Sequence, residues 1–328
     1  MSRNLDKLIF DFQESVLLAS KLIYRSGIKM PSSRNNWIEL DIPTEGELIS
    51  GERYYKHGTG CLVTLSTGEV DFDFGENGEI GGFNSWWLFR FAGNKLKNYG
   101  FNNIDEIEQF LNEELEAGKI ICPDCDLYYL AGKPFIYATE IDGRRPDDML
   151  PVRNLDAVLT LYSHYFQSAN LMLENYDKIS LKVQSVGQLN QREQVDKRIY
   201  LTTWLGLLGV VCEGYRKLKM RVLLEKHRPD SFKELIEKAN SIGKIMKEHA
   251  DSLRKFRNDI FHLRESNELI RHFFERKIER LSWARELNLA LADFFSQYSV
   301  ICEVHYILND RFGESDLVKN KKKKRKPH

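Results

Sequence analysis

Two hydrophobic periods occur along this chain, and where each occurs limits what it can fold into. Cys61, Val63 and Leu65 fall on alternate positions, and Val70, Phe72 and Phe74 do the same after the turn-forming run Ser-Thr-Gly-Glu at 66–69. A period of two with a turn between predicts a β-hairpin with one buried face. Beyond residue 151 strand signals largely vanish. The segments 155–176, 195–226, 231–240, 242–256 and 266–308 carry apolar residues at three- and four-residue steps, with breaks near Pro229 and Ser241. A chain with both patterns divides its core: an α+β N-terminal domain followed by an all-α bundle of four or five helices.

The boundary is written in the sequence. Residues 142–151 are polar and hold Pro146 and Pro151, a linker composition. The expected organisation is an acidic α+β domain over 1–145, a helical bundle over 152–310 and a disordered basic tail over 311–328. Inside the first domain, Leu5, Leu8, Ile9, Phe12, Val16, Ala19 and Ile23 predict an amphipathic helix over the first 25 residues. Asn84 is placed to cap a helix through Trp87, Leu88 and Phe91, and 105–116 form another helix closed by Gly118. Strand pieces follow at 127–130 and 135–139.

A net charge of zero hides an asymmetry. Residues 1–150 hold 15 Lys and Arg against 25 Asp and Glu, whereas 151–328 hold 33 against 23. Seven of those cations lie in the last ten residues, so the bundle itself carries only +3. Two modules with a polyanionic partner for one of them fit this split. The Lys-rich run at 321–326 reads as a solvated tail, either contacting RNA non-specifically or without a role. There is no N-terminal signal pattern, and the most apolar run, 200–212, is too short to span a bilayer. The expectation is a cytoplasmic protein with no membrane association. Five cysteines, at 61, 122, 125, 212 and 302, are too few and too scattered for a disulfide framework. Cys122 and Cys125 form a single CxxC pair, which lacks the second pair a zinc site needs. Two unpaired thiols in a turn is the favoured reading, with no metal and no cofactor.

The string Lys-Phe-Arg-Asn-Asp-Ile-Phe-His at 255–262 is the most informative in the chain. On a continuous helix Arg257 and His262 lie about 140° apart, with Asn258 between them in projection. A guanidinium grips a phosphate, and an imidazole moves a proton at a ribose hydroxyl or a leaving oxygen. By spacing alone, a surface Arg and a packed His explain the string as well. Glu213, in the most apolar helix, needs a cationic partner; Arg257 and Arg254 are both candidates.

The octapeptide resembles the Arg-Asn-x-x-x-His signature of the HEPN superfamily of helical bundles. The likeness extends to Trp-Leu-Gly-Leu-Leu-Gly-Val-Val-Cys-Glu-Gly at 204–214, and to Phe273, Phe274 and Trp-Ala-Arg-Glu-Leu at 283–287. Many members are ribonucleases of toxin–antitoxin and antiphage systems, and some are inactive scaffolds. The resemblance implies a metal-independent endoribonuclease that acts on single-stranded RNA as a homodimer. It makes Arg257 the phosphate-binding residue, His262 the acid or base and Asn258 an orienting group, with Glu213 and Asp259 in support. The alternative is a non-catalytic immunity, scaffold or RNA-binding protein that uses the bundle to dimerise.

In the first domain, His-Gly-Thr-Gly-Cys at 57–61, Asp-Phe-Asp-Phe-Gly at 71–75 and Gly-Phe-Asn-Ser-Trp at 82–86 resemble an uncharacterised bacterial domain. This marks His57, Cys61, Asp71, Asp73 and Trp86 as motif residues. Position 87 is Trp where that pattern has Arg, which puts a polar role there in doubt. Asp71 and Asp73 share a strand face. They are either a solvated edge or, with His57, metal ligands. A regulatory or sensing role with a protein partner is expected for this domain.

Overall fold

The computed structural model describes residues 3–123, 126–262, 273–274 and 277–318. Cys125, the Lys-rich run at 321–326 and the expected start of the last helix at 266 lie outside the described residues. The chain divides into two compact units. One is the chain up to Arg144 together with the segment from Tyr306 onward; the other is Arg145–His305.

In the first unit, α1 (Arg3–Arg25) buries Leu5, Leu8, Phe12, Val16 and Ile23, the positions its periodicity marks. A short helix, α2 (Arg34–Ile38), seats Trp37, whose indole N–H donates to the Gly60 carbonyl at 2.8 Å. Four antiparallel strands follow in sequential order: β1 (Glu45–Glu47), β2 (Arg53–His57), β3 (Gly60–Leu65) and β4 (Gly68–Asp73). Cys61 pairs with Phe72 and Val63 with Val70, so these side chains share a face, and they join α1 in one core. The opposite face carries the rows Tyr55–Leu62–Asp71 and His57–Gly60–Asp73, each written across the three strands.

The remaining elements of this unit are short. They are β5 (Glu79–Ile80), α3 (Ser85–Ala92), α4 (Ile104–Glu116), β6 (Ile120–Ile121), β7 (Tyr129–Leu130) and β8 (Ile136–Tyr137). β5 pairs with β8 and β6 with β7. Asn84 caps α3 as its sequence predicts, with its side-chain oxygen accepting the Trp87 N–H at 2.9 Å.

Residues 311–318, expected as the start of a disordered tail, are instead folded into this unit. Arg311 and Glu314 are fully buried and paired at 2.6 Å, with the guanidinium 4.8 Å from the Tyr306 ring. The Phe312 N–H donates to the Arg25 carbonyl at 3.1 Å. Composition marks this stretch as polar, but its charges neutralise one another, which is what allows their burial.

The second unit is helical: α5 (Ala157–Thr160), a π-helical turn (Leu161–Phe166), α6 (Gln167–Val186), α7 (Gln191–Lys217), α8 (Met220–Lys226), α9 (Ile236–Phe261) and α10 (Lys277–Leu308), whose residues up to His305 belong to this unit. The break expected near Ser241 is absent, because the Ser241 hydroxyl donates to the Glu237 carbonyl at 3.0 Å within α9. The chain breaks at Lys219 instead, a left-handed residue at φ 49°. No helix among the described residues is long and apolar enough to cross a membrane.

A buried charge network links distant parts of this unit. The Tyr298 hydroxyl donates to Asp156 at 2.7 Å, and Arg228 donates to Asp156 at 3.1 Å and to the Tyr298 oxygen at 2.6 Å. Asp156 also caps α5 by accepting the Val158 N–H at 2.8 Å. Asp156→Ala leaves the Arg228 charge buried without its counterion, a loss of about 3–5 kcal/mol. Urea denaturation is expected to show that loss, and a smaller one for Asp156→Asn, which keeps an acceptor for the cap.

Candidate functional site

α7 and α9 pack closely because two glycines allow it. A Cβ at Gly209 would lie 3.1 Å from the Arg257 Cβ, and one at Gly206 would lie 3.0 Å from the Phe261 ring. The aliphatic stem of Arg257 therefore lies on α7, and its guanidinium reaches the next turn. There it donates to Glu213, while the Asn258 side-chain oxygen accepts from Nε at 3.1 Å and from Nη2 at 2.6 Å. Glu213 also holds Lys217 at 2.9 Å, one turn on. Of the two cations considered for Glu213, Arg257 is the partner, and Arg254 lies 3.9 Å from Asp251 instead. The Arg257 side chain is only 18% exposed and its guanidinium is held on two sides, so its orientation is fixed before any ligand arrives.

His262 does not lie on the helix. α9 ends at Phe261, and His262 adopts an extended backbone whose N–H donates to the Asn258 carbonyl at 3.1 Å. The 140° projection of a continuous helix therefore does not apply to it. Its side chain is exposed, and Asp259 is half-buried. Together the structure brings Arg257, Asn258 and Glu213 into one hydrogen-bonded set, with His262 at the end of the same helix. Chemically, the set offers a pre-oriented cation for a phosphate and a solvent-facing imidazole for proton transfer.

The motif residues of the first unit form a second cluster. Gly60 lies between His57 and Asp73 in their row, where β4 approaches too closely for a side chain, and the imidazole reaches across to β4. His57 Nε2 lies 2.7 Å from Asp71, and Arg90 Nη1 lies 2.5 Å from the other oxygen of that carboxylate. Asp73 accepts from the Thr59 hydroxyl at 2.6 Å and from the Trp87 indole N–H at 3.1 Å. Trp87 and Arg90 are three residues apart on α3, so both meet β4 from one side.

These contacts replace the solvated edge expected for the two aspartates, since the Asp71 side chain is only 5% exposed. They also give position 87 a polar role through its indole. Arg90 and Thr59 were not marked by sequence; the three-residue spacing from Trp87 is the signal that carries Arg90. Trp86, by contrast, is 53% exposed. Among the described residues no group of three or more His, Cys, Asp or Glu side chains is arranged to hold a metal ion.

Cys61 lies on the opposite, core-facing side of the sheet, and burial together with the Asp71 charge pushes its thiol up to about 12. Burial likewise pushes Cys212 up to about 12 and raises Cys302. The thiolate is the reactive form. All three thiols are therefore expected to resist a disulfide-exchange reagent at about pH 8 in the folded protein and to react once guanidinium unfolds it. Rapid native labelling of Cys61 would show that it is accessible and ionised, contrary to this account.

Residues 5–130 match a family described as a domain of unknown function, DUF6896. That match contains the whole His57–Asp71–Arg90 cluster and ends before the helical unit. No curated protein and no solved structure matches the chain.

Proposed function

We propose that the C-terminal unit is a HEPN-like bundle that cleaves single-stranded RNA without a metal, in the cytoplasm, as a toxin or antiphage-defence ribonuclease. The observation that carries this reading is the fixed Arg257 guanidinium, held by Glu213 and Asn258, at the helix end that presents His262. Arg257 grips the scissile phosphate. The 2′-hydroxyl loses its proton and attacks phosphorus, the bond to the 5′-oxygen breaks, and that oxygen takes up a proton. His262 serves one of these two transfers. The products are a 2′,3′-cyclic phosphate and a 5′-hydroxyl.

The active form is a homodimer. Exposed Phe261 lies beside His262, and exposed Val195 and Ile199 continue the α7 stripe of Gly206. A second copy buries this apolar strip and adds a second Arg257 to the site. The N-terminal unit, with its acidic charge, serves as a sensing or regulatory domain. Cleavage of RNA by the full chain in EDTA, yielding fragments with 2′,3′-cyclic phosphate ends, is the expected result. RNA that is bound but left intact supports the non-catalytic alternative, an RNA-binding or scaffold protein.

A further inference from the structure

A cleft of about 620 Å³ opens between the end of α7, the reversal at Lys219, α8 and the first half of α9. Its floor is apolar, from Tyr215, Met220, Met246 and Ala250, and its rim carries Arg216, Lys219, Arg221, Lys244 and Lys247. All five cations are exposed, and among the described residues none forms an ion pair. No carboxylate lines the cleft. Glu213, the α7 acid nearest in sequence to the rim, is already taken by Arg257 and Lys217. The Tyr215 hydroxyl is buried and has no hydrogen-bond partner among the described residues. Lys219 holds a left-handed backbone that side chains other than glycine rarely adopt, and this turn separates α8 from α7 at the cleft.

The cleft residues Gly243 and Ala250 stand on the same face of α9 as Arg257. On α9, Gly243, Ala250 and Arg257 recur at seven-residue steps, and on α7 so do Gly209 and Arg216. Residues seven apart share a helix face. The stretch of α9 from Lys244 to Arg257 rises about 20 Å. Unpaired cations around an apolar floor match a polymer with an anionic backbone and flat apolar faces.

We propose that this cleft holds single-stranded RNA, with bases against the apolar floor, phosphates on the five cations and the strand running along α9 toward Arg257. The proposal rests on reading Arg257 and His262 as the cleavage centre, but binding is measurable without cleavage.

The test uses the full chain with His262→Ala, in EDTA, and a fluorescent oligouridylate about twelve nucleotides long. Adding Lys244→Gln and Lys247→Gln is expected to raise Kd about tenfold, and the same pair as Glu about a hundredfold. The slope of log Kd against log salt falls by about 1.4, near 0.7 for each phosphate that is no longer neutralised. Lys178→Glu, at an exposed position of α6, changes Kd less than about twofold. Lys219→Gly removes a cation but relaxes the left-handed turn, so Kd rises about threefold while the melting temperature holds or increases.

A Kd within about twofold of the His262→Ala protein for both Lys244/Lys247 pairs overturns the proposal. So does binding of phosphatidylglycerol vesicles or an oligoglutamate with the same lysine dependence when oligouridylate does not compete. If these lysines govern RNA binding while the parent protein cleaves nothing, the cleft stands and the cleavage centre falls. If the parent cleaves RNA and the lysines do not affect binding, the reverse holds.

Discussion

Gly60→Val is expected to unfold the N-terminal unit while leaving the helical unit folded. A Cβ at this position would lie 1.9 Å from the Phe72 carbonyl oxygen and 2.6 Å from the Asp73 carboxylate. The first of these is backbone, so no rotamer change relieves it, and β3 and β4 must separate or slip. A slip of one residue turns Val63, Val70 and Phe72 away from the α1 core. The residue 60 carbonyl, which accepts the Trp37 indole N–H, is displaced with the strand. We expect a loss of about 3 kcal/mol or more. Thermal melting followed by tryptophan fluorescence would report it as an early transition from Trp37, Trp86 and Trp87, separate from that of Trp204 and Trp283 in the helical unit. Gly58 is the internal control. A Cβ there meets nothing within 4 Å, so Gly58→Ala is expected to change stability by no more than about 0.5 kcal/mol. Similar melting for the Gly60→Val and parent proteins would mean that Gly60 does not pair with Asp73 and that the hairpin has another register.

The hairpin was legible because a single face had to be buried, and that fixes both period and register. Asn84 was legible for a similarly local reason: an N-cap is set by one side chain and one N–H. Features that depend on tertiary pairing were not. Asp71 and Asp73 read as a solvated edge until α3 supplied Arg90 and Trp87. Residues 311–318 read as a tail because the burial of Arg311 depends on Glu314 and Tyr306.

The helix breaks show the same limit. Ser241 suggested an interruption, yet a hydroxyl can return to its own helix. The actual break at Lys219 has neither glycine nor proline to announce it. At the candidate site, the choice of Arg257 over Arg254 for Glu213 came from the close approach permitted by Gly209. The departure of His262 from the helix had no local signal, since Phe261 and His262 carry no capping chemistry.

The proposed ribonuclease depends on two groups with different tasks. His262, exposed beyond the end of α9, moves a proton, and a positioned acid or base contributes about 10²–10⁴-fold. Arg257 stabilises charge on the phosphate, and removing one such donor costs about 10²–10³-fold. Neither loss should unfold the bundle: the His262 side chain is exposed, and Gly209 touches the stem of Arg257, which Arg257→Met retains. Initial cleavage rates of single-stranded RNA in EDTA, compared for the full-length parent, His262→Ala and Arg257→Met, test this account most directly. It predicts metal-free cleavage by the parent and rates at least about a hundredfold lower for both variants. Cleavage by both variants at the parent's rate, with helical content unchanged, would contradict it.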